Sequence, residues 1–334
     1  MASPLNVNVD WGDLVTTTLE ARSGELNDLI SNNNALLKEI EKRGMKRDFE
    51  GGREIVEELA YAMNQTFMWY SGYEPLNISL NDTMTAMRVP LKQASIAVTV
   101  SGLEKIQNSG KAAQIKLVTA RTNNAIKTFR NYMSAAVYSD GTGWSGKQLT
   151  GLNAAIAKTP TTGIYGGIDR SAYPWWRNVS INANTDSRGV VTSSNIASYF
   201  ATATLGAKRD SEGIEQIVCD TNYYTAFLTY LQGIQRITED PDGDAGAGFT
   251  SLAYYGAGKK ARVILDGGYN GQIPTNTAYF LNPETYSLVV APERNYSVIG
   301  GDRSNVNQDA IVRILAWAGN LVCMNPSLNA VLWQ

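Results

Sequence analysis

The sequence predicts an α+β fold, and three observations carry that prediction. An unbroken helical stretch runs from Ser109 to about Tyr138, with no Pro and no Gly after Gly110. A series of strand-like segments fills the region from Arg262 to Met324. Between 45 and 100 lies an aromatic-rich segment bounded by chain breakers, the pattern of an extended hairpin. At roughly 100 to 200 residues per domain, 334 residues allow two domains or one large one.

The first element is a helix. From Leu14 to Ile40 the apolar positions Val15, Leu19, Leu26, Leu29, Ile30, Leu37 and Ile40 recur at helical spacing, with Asp13 as N-cap and Gly44 after a basic last turn. Asn32 to Asn34 interrupt its apolar face, so it needs a surface to lean on. Next, Phe67, Trp69 and Tyr70 stand together before Ser71, Gly72 and Pro75 break the run, and Arg88 to Val100 places Ile96, Val98 and Val100 on one face. These signals read as a two-stranded arm. An isolated hairpin is marginal in water, so an arm this aromatic requires a partner surface, in its own chain or in a neighbour.

The helix from Ser109 follows, about 40 Å long at 1.5 Å per residue. Its apolar stripe is Ile115, Val118, Ile126, Phe129, Met133 and Val137, with Thr122 in the gap, and Lys116, Lys127 and Arg130 cluster on another face. Residues 101–138 hold six basic side chains against the single acid Glu104, in a chain whose formal charge is -2. Two readings stand: a solvated helix face, or sequence-blind contact with phosphate. Beyond Asp140 come a Gly- and Trp-rich connector to Asn178, a helix near Asn195 to Leu205, a strand Ile214 to Cys219 and a helix Tyr223 to Ile234. A loop from Thr238 to Gly248 precedes the strands Arg262 to Leu265, Ala278 to Leu281, Ser287 to Val290 and Ala310 to Met324. The last is apolar on both faces, as a strand covered from two sides should be.

Composition removes several classes of chemistry. There is no His, so Ser-His-Asp and Cys-His nucleophile systems are excluded. Two cysteines, Cys219 and Cys323, cannot supply a thiolate-rich zinc or iron-sulfur framework; both read as buried apolar residues in a reducing compartment. The near balance of 29 basic and 31 acidic residues gives no global field for nucleic acid or an anionic membrane. The N-terminus lacks the pattern of a signal peptide, and Ala310 to Met324, interrupted by Arg313 and Asn320, falls short of the ~20 apolar residues that span a bilayer. A soluble chain without cofactor or metal is the expectation.

Near-motifs support no active site. Gly141 to Gln148 almost spells a phosphate-cradling loop, but Gln148 stands where a Ser or Thr should hold magnesium, and the loop follows a helix instead of a strand. Val263 to Asp266 has the common form of a short apolar run, three residues here, before an acid. Asp240, Asp242 and Asp244 match alternate positions of a calcium loop, yet Ala245 and Ser251 replace its Gly and Glu. Asn-x-Ser/Thr sequons, as at Asn64, Asn77 and Asn178, are formal matches.

The stretch GIYGGIDRSAYPWWRN, Gly163 to Asn178, resembles a connector in major capsid proteins of tailed bacteriophages with the Hong Kong 97 fold, its most specific letters being Tyr173 to Arg177. The order of elements is similar to that family nearly throughout, ending with Gln308 to Pro326, which resembles its late strand closed by a Pro. The resemblance implies an N-terminal arm over 1–50, an E-loop hairpin over 51–100, a peripheral domain with spine helix and connector over 101–190, an axial domain over 191–282, and C-terminal strands over 283–334 that return to the peripheral domain. It implies a structural, non-enzymatic role in the virion: self-assembly, in the host cytoplasm, into hexamers and pentamers that close into an icosahedral head around double-stranded DNA.

Phe67, Trp69, Tyr70, Tyr73, Leu76, Leu29 and Leu37 are then the expected intersubunit contacts, and Lys116, Lys127 and Arg130 the residues facing packaged DNA or scaffold. Further implied partners are a separate scaffolding protein, a portal and decoration proteins. Some members form a Lys-Asn isopeptide crosslink, for which Lys92 with Asn325 or Asn329 would be the local residues. An encapsulin-like compartment is the alternative within the structural class. Outside it stand a cytoplasmic carboxylate-based or nucleotide-using enzyme and a monomeric binding module.

Overall fold

The structure, a computed structural model, describes residues 35–107, 111–233, 252–256, 258–266, 272–304 and 310–334. Helix α1 (Ala35–Lys42) buries Leu36, Leu37 and Ile40 on one side. Gly44 follows it at φ +67°, the left-handed conformation that a residue without Cβ adopts freely after a helix. The remainder of the predicted first helix lies outside the described residues.

Four strands come next: β1 (Lys46–Asp48), β2 (Glu54–Ala60), β3 (Met84–Pro90) and β4 (Lys92–Ser101). β2 and β3 form a two-stranded antiparallel ladder from Glu54↔Pro90 to Ala60↔Met84. Here the structure corrects the sequence reading, in which Arg88 to Val100 formed one strand of the arm. The chain passes from the hairpin to a sheet around Pro90, and Val98 and Val100 are buried in that sheet. Phe67 to Tyr70, whose aromatic density suggested strand, belongs to no ladder.

Ser101 then caps α2 (Gly102–Gln107): Glu104 N donates to Ser101 Oγ at 3.3 Å and Ser101 N to Glu104 Oε2 at 3.1 Å, a reciprocal capping box. The long helix α3 (Lys111–Val137) follows the predicted span closely. Thr122, Ile126, Phe129, Met133 and Val137 of its stripe are buried.

Past two short helical turns, Gly143–Gly146 and Leu152–Ala155, the chain builds β5 (Ile164–Tyr165), β6 (Ile168–Asp169), β7 (Val179–Asn182), α4 (Ile196–Gly206), β8 (Gln216–Cys219) and α5 (Thr221–Gly233). Then come β9 (Leu252–Gly256), β10 (Lys259–Leu265), β11 (Thr277–Leu281), β12 (Tyr286–Ser304), β13 (Ala310–Cys323) and β14 (Ala330–Trp333). β12 far outruns the four residues expected of it: beyond Val290, where Pro292 falls, its register against β13 shifts and pairing resumes at Asn295. The breaker bends this strand without ending it.

Two larger sheets result, a four-stranded one in the order β1-β12-β13-β4 and a six-stranded one in the order β7-β14-β11-β8-β10-β9. Two cores form, and the six-stranded sheet separates them. Val218, Tyr279, Leu281 and Val331 join the core that α1, α3 and the four-stranded sheet build. Their chain neighbours Ile217, Cys219, Ala278, Phe280, Ala330 and Leu332 join the core under α4 and α5. Alternate residues of a strand point to opposite faces, so a sheet covered on both sides reads as continuous apolar sequence. Ion pairs add a tie between the halves: Arg262 reaches Glu39 on α1 at 2.6 Å, and Glu215 receives Arg43 at 2.9 Å and Lys259 at 2.7 Å.

Candidate intersubunit surface

The ladder of β2 and β3 gives way to a loop over residues 61–83, which shapes itself through amide side chains. Asn64 Oδ1 accepts from Thr66 N at 3.0 Å, Thr66 Oγ1 at 2.7 Å and Asn81 Nδ2 at 3.3 Å. Asn77 Oδ1 accepts from Ser79 N at 3.1 Å and Ser79 Oγ at 2.8 Å. These are Asn-centred turns, in which a side chain replaces a backbone acceptor, and they account for the sequons at Asn64 and Asn77. Asn178, by contrast, is buried with Nδ2 donating to Ala157 O at 2.9 Å.

With its polar groups satisfied locally, the loop turns its apolar side chains outward. Phe67, Trp69, Tyr70, Tyr73 and Leu76 are all exposed, Trp69 at 89% and Tyr73 at 107%. Met63, Ile78 and Leu80, which the sequence reading passed over, are exposed with them. The alternation Asn77, Ile78, Ser79, Leu80, Asn81 was the available signal for the last two. A buried aromatic side chain covers roughly 150–250 Å², so these side chains leave open the kind of apolar surface that marks interaction sites.

Leu37 is a correction: at 4% exposure it is packed into the chain's own core and has no surface to offer a neighbour. Leu29 lies outside the described residues. Of the three basic residues, Lys127 is exposed, on the side of α3 that also carries Ala120, Asn124 and Asn131. Lys116 and Arg130 are on the same helix, but their side chains are outside the described set.

The connector is the foundation of the hairpin. Gly166 and Gly167, at φ +62° and +79°, make the two-residue turn between β5 and β6 that needs positive φ at both positions. Gly166 O accepts from Arg88 N of β3 at 2.9 Å, and a Cβ at Gly166 would stand 3.0 Å from Met87 Cβ. Trp176 is 1% exposed, with Nε1 donating to Tyr165 O at 3.0 Å and its ring stacked on Tyr165. Trp175 stacks on Tyr61, whose hydroxyl donates to Asp82 O at 3.0 Å, so both ends of the loop meet over one indole. Arg170, also buried, donates through Nη2 to Ala154 O and Ala155 O at 2.6 and 2.7 Å, closing the short helical turn behind the connector.

Other candidate sites resolve into architecture. In the Gly141 to Gln148 loop, Thr142 N donates to Asp140 Oδ1 at 2.9 Å, and Trp144 and Ser145 both adopt left-handed backbone at φ +54° and +56°. It follows α3, and Lys92 Nζ donates to Gly146 O. Asp266 accepts from the buried Tyr138 hydroxyl, and burial, then the charge of Asp266, hold that phenol well above its ordinary pKa. Asn329 is fully buried, donating to Thr285 Oγ1 at 2.8 Å and Asn325 O at 2.9 Å, and is closed to crosslinking. Cys219 and Cys323 are free and buried, and burial pushes the Cys323 thiol up to about 12. The Asp240 to Asp244 segment lies outside the described residues. Among the described residues no group of three metal-ligating side chains occurs, and no helix is long and apolar enough to cross a membrane.

No protein-family model and no curated protein sequence matches the chain. Solved structures do. The subunit of the cyanophage A-1(L) capsid superposes with a TM-score of 0.59 over 88% of this chain and 92% of its own, at 14% identity. The capsid of the myovirus XM1 superposes with a TM-score of 0.53 over 87% of this chain and 90% of its own, at 10% identity. The fold is that of tailed-phage capsid subunits.

Proposed function

We propose that this chain is a structural major capsid protein of the Hong Kong 97 type. Its copies join as hexamers and pentamers, and these close into an icosahedral head around double-stranded DNA. The observation that carries the reading is the loop 61–83: an aromatic surface exposed on a shaped loop, anchored at its base by the connector. Such a surface costs solubility unless a neighbour covers it. The likeness of fold to phage capsid subunits supports the same conclusion. Many modest contacts between identical copies add by multivalency, so the shell closes cooperatively.

Removing Phe67 to Leu76 tests this directly. The shortened chain is expected to keep its circular dichroism spectrum and stay soluble, because the loop contributes no residue to either core. It should sediment as a single subunit under conditions in which the full chain, alone or with a scaffolding protein, forms megadalton particles. Particles formed by the shortened chain would sink the reading.

A further inference from the structure

We propose that residues 5–11 of this same chain enter the gap between β1 and β2 as an added strand, and so join the foot of the hairpin to the four-stranded sheet. The inference concerns a single subunit, goes beyond the shell-forming reading and is tested apart from it.

Two open strand edges border one cavity. β1 ends the four-stranded sheet, and β2 pairs with β3 alone. The two strands are consecutive, joined by residues 49–53 with Gly51 and Gly52 at the bend, yet they do not pair with each other. A cavity of about 1120 Å³ separates them, lined by residues 47–57 together with Arg88 and Val289. Arg47 and Glu57 join side chains across it and leave it open. On their outer edges the two strands make no backbone–backbone hydrogen bond among the described residues. Such edges are templates for a further strand, and folded chains ordinarily cover them.

The sequence holds a strand that fits. Leu5, Val7, Val9 and Trp11 alternate with Asn6, Asn8 and Asp10, the period of a strand with one apolar face. An added strand is held by main-chain bonds and selected through its alternate side chains. Ile55, Val289 and the half-buried Phe49 give the cavity an apolar lining for the first set. For Asp10 there are Arg53 and Arg88, which have no ion pair among the described residues. Asp48, Glu50 and Glu54 share the same lining, so charge sets the register of the strand more than its affinity. Reach decides which chain supplies it. Twenty-three residues separate Trp11 from Ala35, a tether of roughly 24–29 Å as coil or about 35 Å as helix. From Ala35 to Arg47, where the cavity begins, the chain covers no more than about 25 Å. Such a tether holds the segment at an effective concentration on the order of millimolar, so in dilute solution its own chain captures it ahead of a second copy.

The test uses the full chain in dilute solution. Val7→Pro removes a main-chain donor from the segment and disfavours its pairing, while every described residue keeps its identity. Hydrogen exchange read by mass spectrometry is expected to speed up about tenfold or more over residues 46–48 and 54–60, with β11 exchanging as in the parent. Rates over those two strands equal to the parent's overturn the proposal.

Where Val7→Pro loses dichroism or disturbs β11, cysteine pairs carry the test. Val56 is 54% exposed, on the face of β2 opposite the buried Ile55, the face that Asn6 and Asn8 share when Val7 turns toward the core. Asn6→Cys or Asn8→Cys, each combined with Val56→Cys, is expected to give a disulfide in at least one pair under mild oxidation, since bridging needs Cα atoms within about 4.4–6.8 Å. Cys219 and Cys323 are buried and do not compete. Oxidising a mixture of unlabelled and ¹⁵N-labelled copies identifies the donor: bridges within one label support the proposal. Bridges between labels overturn it, because the strand then comes from a second copy, and so does the absence of a bridge in both pairs. None of these readouts requires particles, so the shell reading stands or falls separately, on the removal of Phe67 to Leu76.

Discussion

Trp176 shows how one side chain serves two ends. It fills the first core, fixes Tyr165 by a hydrogen bond, and packs edge-on against Trp175, which bears the base of the hairpin loop. Replacing a buried Trp by Ala typically costs about 3–5 kcal/mol, and Trp176→Ala should show that loss in denaturant melts. It should also release Tyr61 and Asp82 from their shared anchor, seen as faster proteolysis within residues 61–83. At this scale the sequence was informative where chemistry is local. The Trp pair in the connector marked rings that pack on each other, and the aromatic run at Phe67 to Tyr70 marked side chains that stand exposed. Leu37 was misread because helical spacing reports which side of a helix is apolar and is silent on what covers it. The same silence hid the exposed pair Tyr132 and Trp144, twelve residues apart along the chain, whose rings lie edge-on with centroids 6.4 Å apart, Trp144 being carried by the turn at Gly143–Gly146.

Among the elements, α1 works as a clasp. Its apolar side enters the first core, while Glu39 and Arg43 reach Arg262 and Glu215 at the six-stranded sheet. Burial pushes the Glu215 carboxyl up, but hydrogen bonds from Lys259 and Arg43 outweigh it and hold the group below its ordinary value. A carboxyl whose folded pKa is depressed adds stability that is present above its unfolded pKa and is lost as pH falls through the folded one. Thermal melts taken from about pH 7 down to pH 3 should therefore show the parent losing stability faster than Glu215→Gln, which lacks the titrating group. Equal slopes would remove Glu215 from this role.

Helices were the most legible elements, since α3, α4 and α5 lie within a few residues of their expected spans. Strands were less so. β1, β7, β9 and β14 are three to five residues long, too short for alternation to register; β1, β7 and β14 acquire their identity from partners far along the chain, and β9 from its neighbour β10.

For the whole molecule, the decisive feature is that both cores use one sheet. Neither half has a complete hydrophobic interior without β8, β11 and β14, whose side chains alternate between the two. Heat or denaturant is therefore expected to unfold the described body in one transition, with far-ultraviolet dichroism and tryptophan fluorescence coincident. Two separated transitions would mean that the halves are independent. The sequence displayed β13 as apolar on both faces, the mark of cover on two sides, but could not show that the short apolar strand β11 has its two faces in different cores. That depends on which strands are neighbours, and in the order β7-β14-β11-β8-β10-β9 the pairing of β7 with β14 joins residues more than a hundred positions apart.

A party wall of this kind has a mechanical meaning. A body whose two rooms share a wall resists flexing between them, so in the proposed shell copies at positions of unequal curvature would take up the difference where the structure is thinnest. That place is the two-stranded hairpin, which stands outside both cores beyond its buried foot and can swing like a gangway while the building behind it keeps its shape.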